Sequence, residues 1–331
     1  MYHIKGMRNV VVLCTLVTYC FTKANPKTEL HVRKKIFVQK NKQANIPTTK
    51  KEISSALEAP RITIWLHGTK SMSFISDFVH AAPNKGLLLA NDLSAYYRIK
   101  RVIKTLATSD AKRFPLEHFY VYGWSGKLCF KKRLNEAIKL YAAINDLVHQ
   151  HTTPNGIAPH ITLITHSHGG NVALNLATIA HKDPALNIEL IMLACPVQHE
   201  TKTNVQSPLF ERIYSFYSPA DVMQIVDPQG LYITEHNAKL HFELSERVFP
   251  SHSGLRQMML EINGHGITHL GFILERTIRM LPTLLNAAEE WESEEPSISG
   301  TERILEVTTP DWKKPSSAMK VSSSLRQILR I

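Results

Sequence analysis

Short runs that are apolar on both faces constrain this chain most, because they recur and alternate with helical patterns. HITLIT (160–165), IELIMLAC (188–195) and RIYSFYS (212–218) read as strands, as do the run in APRITIWLHGT (59–69) and the one opening HFYVYGWSG (118–126). The last two close in Gly-bearing turns. Between them lie KKRLNEAIKLYAAINDLVHQ, with Leu134, Ile138, Tyr141, Ile144 and Leu147 three or four residues apart, and GGNVALNLATIAHK. Both read as helices, and GHGITHLGFILERTIRMLPTLLNAA ends in another. Strands without a polar face need cover on both sides. The expectation is therefore an α/β fold: a mostly parallel central sheet with helices on both faces. No repeat of fixed period is visible.

One connection is long. About 48 residues separate the His67–Gly68 turn from the strand at His118, and they include FISDFV, GLLLA and a helical SAYYRIKRVIKTLA. This reads either as a small cap or lid insertion over an apolar entrance, or as an ordinary helix with an elaborated loop.

The stretch ITLITHSHGGNVA sets Ser167 where a buried strand turns into a helix. A nucleophile on such a turn sits in the frame G-x-S-x-G, since the sharp bend has no room for large neighbours. Here the frame is Thr165-His166-Ser167-His168-Gly169, with Gly170 following and threonine in the first glycine position. A serine nucleophile needs a base, and the base an orienting acid. The RIYSFYS strand runs into Pro219-Ala220-Asp221, at the strand end where active sites of open α/β sheets gather, so Asp221 is the preferred acid and Asp227 its competitor. Among the downstream histidines His236, His241, His252, His265 and His269, the last is preferred as base, with His265 as its replacement. His269 stands at the junction of a Gly-rich loop and the final helix. Backbone amides must meet the developing oxyanion. Those of His168 and Thr69 are expected to do so, with Gly68 next. His67, Gly68, Trp124 and Ser125 are expected to line the substrate pocket.

Taken together, LHGT, THSHGG, SPAD and GITHLGF resemble the α/β-hydrolase fold in its lipase and esterase branch. In that family a His-Gly pair ends the oxyanion strand and a His-Leu/Ile-Gly sequence opens the last helix. Trp124, Ser125 and Arg133 match a Trp-Ser turn and following helix found in serine hydrolases of this fold. The resemblance covers roughly residues 60–285. It implies a serine esterase or lipase acting on a small-molecule or lipid ester with an apolar acyl group, and needing no cofactor. The same constellation serves thioesterases and acyltransferases, and a hydrolase-like fold also serves as an inactive binding scaffold.

Other readings of the same residues are weaker. His265 and His269 have the spacing of a zinc helix, but no glutamate stands beside His265 and Gly264 and Gly266 oppose a helix; no metal is expected. Ser125, in GWSG, lacks a glycine two positions before it and is the lesser nucleophile candidate.

The ends of the chain look different from its middle. MYHIKGMR followed by NVVVLCTLVTYCF has the basic and apolar regions of an export signal, too short for a full span, so residues 1–24 are expected to be a signal peptide or N-terminal anchor. Residues 25–58 read as a basic flexible linker, 59–287 as the α/β-hydrolase domain and 288–331 as a disordered tail. The net charge of +11 draws on that linker, so the excess does not indicate nucleic-acid binding. The linker suits loose peripheral contact with anionic lipid instead. Cys129 and Cys195 are expected as free thiols, since two cysteines make no disulfide framework.

Overall fold

A computed structural model describes residues 32–37, 59–69, 82–180, 186–225, 245–294 and 302–308 of the chain. The strands are β1 (Val32–Phe37), β2 (Arg61–Leu66), β3 (Gly86–Leu89), β4 (Phe119–Gly123), β5 (His160–His166), β6 (Ile188–Leu193), β7 (Phe210–Tyr217), β8 (Leu255–Ile262), β9 (His265–Gly266) and β10 (Glu302–Thr308). The helices are α1 (Arg98–Ser109), α2 (Phe130–His151), α3 (Gly169–Leu174), α4 (Leu176–Ile179) and α5 (Glu275–Glu294). Across the sheet the strands run β1-β10-β8-β7-β6-β5-β2-β4-β3. Every neighbouring pair in that row is parallel except β3 with β4, and the short β9 pairs antiparallel with β8. The expected α/β fold, a mostly parallel sheet with helices on both faces, is what forms, and it is consistent with the α/β-hydrolase architecture.

Alternation along β2 shows how the sequence fills two cores. Ile62, Ile64 and Leu66 join a cluster with Leu140, Ile144 and Leu147 of α2 and Val172 of α3. Trp65 points the other way, into a cluster with Val102 and Leu106 of α1 and Ile278 and Leu281 of α5. Side chains on both faces are fully buried, and each such aliphatic side chain contributes about 1.5–3 kcal/mol. Helix α1 buries Ile99, Val102, Ile103 and Leu106, the spacing of a single helical face. No described helix is long and apolar enough to cross a membrane.

Several expectations need correction. Residues 32–37, within the expected linker, and 302–308, within the expected tail, pair with each other along six positions and extend the sheet through β8. Two further contacts tie these outer strands to α5, which itself continues to Glu294. Lys34 Nζ lies 2.7 Å from Glu294 Oε2, and the Arg303 guanidinium sits 5.6 Å over the Trp291 ring. GLLLA is no cap, because Gly86–Leu89 forms the antiparallel edge strand and α1 packs on the sheet; FISDFV lies outside the described residues. The inward face of α2 also differs from the apolar spacing. Leu134 and Ile138 are exposed, while Arg133 and Glu136 are buried and bonded inward. Arg133 Nη2 donates to Gln198 Oε1 at 2.6 Å, and Glu136 Oε2 accepts from the Tyr122 hydroxyl at 3.2 Å. The strand β8 carries Arg256, Gln257 and Glu261 and does not follow from an apolar pattern. Residues 1–24 lie outside the described residues.

Candidate functional site

Ser167 is the first residue beyond β5, and its backbone is left-handed, with φ of 53°. A non-glycine residue there carries local strain, which persists only if its surroundings enforce it. They do so through two close approaches. A Cβ added to Gly68 would lie 2.7 Å from the Ser167 Cβ and 3.3 Å from its Oγ. One added to Gly169 would meet the Leu66 and His67 carbonyl oxygens at 2.7 and 2.8 Å. Glycine at both positions lets the end of β2 press against the start of α3. The Ser167 amide also donates to the Leu193 carbonyl at 2.9 Å, which pins the turn to β6.

Thr165 replaces the small residue expected before the serine, and the fold accommodates it. Its side chain is fully buried, with Oγ1 donating to the Ile191 carbonyl at 3.3 Å. The tight spot on that side belongs to Gly170, where a Cβ would meet the Cys195 Sγ at 2.4 Å. Cys195 and Cys129 are both free thiols, the first buried and the second half-buried.

Asp221 follows β7 and is wholly buried. Its Oδ2 lies 2.8 Å from His269 Nδ1, and its Oδ1 accepts the Gln224 amide at 3.1 Å. The His269 ring thus presents Nε2 away from the acid, the orientation a general base requires. The other candidate, His265, is exposed in β9 and has no such contact with Asp221. Asp227, His236 and His241 lie outside the described residues, and His252 accepts the Gly254 amide on Nδ1 at 3.1 Å.

Ser218, Gly266, Arg247 and Gln224, whose roles sequence reading overlooked, hold this pair in place. Ser218 Oγ accepts the Ile267 amide at 2.8 Å, joining the turn after β7 to the loop that carries His269. A Cβ at Gly266 would collide with that same Oγ at 2.8 Å, so glycine is what allows the two loops to dock. Arg247 donates to the Asp221 carbonyl at 3.0 Å, and Gln224 to the Cys195 carbonyl at 2.7 Å. None of these belongs to a spacing pattern, so only tertiary structure reveals them.

His166, beside the serine, touches the candidate base His269. Its ring centroid lies 4.7 Å from that of His269, and its Nε2 donates to the His269 carbonyl at 3.1 Å. The residue before the serine therefore fixes the turn that bears the histidine. Among the described residues no hydrogen bond links the Ser167 hydroxyl to the His269 ring. Such contacts are commonly loose before substrate binds.

The expected oxyanion donors begin the two segments that meet here. His168 follows the serine at the head of α3, and Thr69 follows Gly68 at the edge of the described residues. The expected pocket residues divide. Gly68 lies against Ser167, and Ser125 Oγ is buried with no partner among the described residues. His67 and Trp124 are 1% and 0% exposed and bonded to each other. Their rings stack 5.7 Å apart, and Trp124 Nε1 donates to the His67 carbonyl at 2.8 Å. Side chains so enclosed brace the Gly68 turn from behind rather than line an open pocket.

No family model matches the sequence, and no curated protein matches it. Among solved structures the chain is similar to an esterase from Pyrobaculum calidifontis in a monoclinic crystal form. The identity is 12%, over 76% of this chain and 68% of that one, with a TM-score of 0.30. At that identity and score the likeness says nothing about activity.

Proposed function

We propose that this chain is a serine hydrolase that cleaves carboxylic esters, with Ser167 as nucleophile, His269 as base and Asp221 as its orienting acid. The observation that carries the reading is the 2.8 Å contact of Asp221 with His269, whose ring rests on the residue next to a left-handed Ser167. In the reaction, His269 Nε2 takes the Ser167 hydroxyl proton as the oxygen attacks the ester carbonyl carbon. The amides of Thr69 and His168 meet the negative charge on the carbonyl oxygen. The tetrahedral intermediate collapses, and His269 returns the proton to the departing alcohol. Water, deprotonated by the same histidine, then attacks the acyl-enzyme and releases the acid. Asp221 keeps the imidazole in one tautomer and stabilises its cationic form. Preference for an apolar acyl group, export through residues 1–24 and peripheral contact with anionic lipid belong to the same proposal, on the strength of the sequence.

A panel of p-nitrophenyl esters of increasing chain length tests it on the wild type and on Ser167→Ala, Asp221→Asn and His269→Ala. Activity should fall about 10⁴-fold in each variant, with the fold retained. If His269→Ala keeps full activity while His265→Ala loses it, the base is misassigned. The second reading, a hydrolase-like binding protein, draws on the missing Ser167–His269 hydrogen bond. It predicts a well-folded protein with no turnover of any ester in the panel.

A further inference from the structure

Helices α1 and α5 cover one face of the sheet, and their charge is uneven along their length. Two ion pairs give their relative direction. Arg101 Nε lies 3.4 Å from Glu275 Oε1, and Arg113, just past α1, lies 3.0 Å from Glu289 Oε1. Both helices therefore run the same way, from the end of the sheet that carries His269 toward the amino ends of the strands. At the His269 end, α1 contributes Arg98, Lys100, Arg101 and Lys104 and no carboxylate. The first half of α5 adds Arg276 and Arg279 against Glu275, and the turn before α1 adds Asp92. At the other end α5 carries Glu289, Glu290, Glu292 and Glu294. Three of those four are met by Arg113, Arg256 and Lys34.

The same pairs set the basic side chains on one surface. Lys104 is one turn beyond Arg101, which brings it level with Arg279, one turn beyond Glu275. Arg98, Arg101, Lys104 and Arg279 are all exposed. Lys100 turns back instead, its Nζ donating to the Asn91 and Leu93 carbonyls. Apolar groups border this surface where it meets the candidate site. Leu270 follows His269 and Leu274 precedes Glu275, and they are 37% and 39% exposed. Tyr96, just ahead of α1, is 80% exposed. Single exposed leucines are ordinary, but here two of them and a tyrosine accompany a cluster of cations. A nucleic acid would use the cations and leave the leucines in water. The boundary between lipid headgroups and acyl chains takes all three: phosphates for the cations, hydrocarbon for the leucines, and the interface itself for an amphipathic tyrosine.

We propose that the His269 end of the α1–α5 surface docks on an anionic lipid bilayer. Arg98, Arg101, Lys104 and Arg279 meet the headgroups, and Leu270 and Leu274 enter beneath them. The acidic end of α5 is repelled by the same charge, so the molecule is held with the loop bearing His269 against the bilayer. The surface stands on its own geometry. Only its consequence for catalysis, that an ester enters from the bilayer, rests on the serine hydrolase reading.

Cosedimentation of the full chain with vesicles tests this without any ester, so it stands or falls apart from that reading. Vesicles of phosphatidylglycerol and phosphatidylcholine are compared with phosphatidylcholine alone, and any contact that residues 1–24 make with both cancels in the comparison. The wild type should bind the anionic vesicles about a hundredfold more tightly, and salt of about 0.5 M should remove most of that preference. The double variant Lys104→Gln/Arg279→Gln leaves the Arg101–Glu275 pair intact and should lose about thirtyfold in affinity for anionic vesicles. Lys127→Gln/Lys132→Gln alters net charge equally at and beside α2, on the opposite face of the sheet, and should bind as the wild type does. Leu274→Ser should weaken binding about fivefold. The proposal is overturned if the wild type shows no preference for anionic vesicles, or if the Lys104/Arg279 variant binds as tightly as the wild type. It is also overturned if the Lys127/Lys132 variant loses as much, or if a short DNA duplex binds where the vesicles do not.

Discussion

The two ends of the sheet solve opposite problems. At the carboxyl ends of the strands, glycines at 68, 169 and 266 bring backbone segments together, and Ser167, Asp221 and His269 follow from that closeness. At the amino ends, long charged side chains fill the space. Arg113 reaches both Glu189 at 2.9 Å and Glu289 at 3.0 Å, and the Tyr214 hydroxyl donates to that same Glu289. The first end depends on the absence of side chains and should tolerate no added atoms. The second depends on balanced charge and should respond to pH and to removal of a partner. Chemistry can thus be separated from stability by mutating one end at a time.

The largest effect expected is on activity alone. Ser167→Ala should lower ester turnover about 10⁴-fold or more while leaving the melting temperature near the wild-type value. An alanine at position 68 comes next. Its Cβ would sit 2.7 Å from the Ser167 Cβ and 3.0 Å from the His166 carbonyl oxygen, so either the serine or the turn must shift. A displacement of that size should reduce kcat/KM about 10²-fold. Loss of activity with unchanged stability in Arg113→Met would break the comparison, since that change should act the other way. It leaves Glu189 and Glu289 without their shared cation and should cost about 2 kcal/mol in a denaturant titration, a value reduced because Glu289 is one-third exposed.

How much of this was legible in the sequence follows the same division. The strands β2, β4, β5, β6 and β7 announce themselves because both faces are buried, and Ser167, Asp221 and His269 sit at positions where strand ends and turns can be read locally. The outer strands β1 and β10 cannot be read that way. VRKKIF is basic and ERILEVT is half polar; β10 becomes a strand by pairing with β8, and β1 only by pairing with β10, some 270 residues distant. Helix α2 misleads for a different reason. Its apolar Leu134 and Ile138 face out because Arg133 and Glu136 find buried partners in Gln198 and Tyr122, and no periodicity reports a satisfied polar contact. The charged end was invisible for that reason too, since its residues scatter over strands and helices far apart in sequence.

Two smaller effects sharpen the comparison. His166→Ala removes the donor to the His269 carbonyl and the ring beneath the base. It should lower kcat about tenfold and broaden the pH profile, with KM little changed. His166→Gln, which keeps a donor, should recover part of the loss. The smallest effect concerns acid stability. His160 is held below its ordinary pKa, first by burial. Glu289 is also lowered, since the Tyr214 hydrogen bond and the Arg113 charge outweigh burial. Both groups therefore bind fewer protons folded than unfolded, so stability is full above pH about 6.5 and declines as pH falls, first through the His160 range and then through that of Glu289. His160→Gln should flatten the upper part of that decline in urea midpoints measured between pH 7 and pH 5.

The central claim is that Ser167 is an activated nucleophile, and covalent labelling tests it most directly. A fluorophosphonate probe, followed by peptide mapping, should place the label on Ser167 in the wild type and on nothing in Ser167→Ala. Labelling of His269→Ala should be slower by orders of magnitude. A folded wild-type protein that takes no label, or takes it on Ser125, would contradict the account.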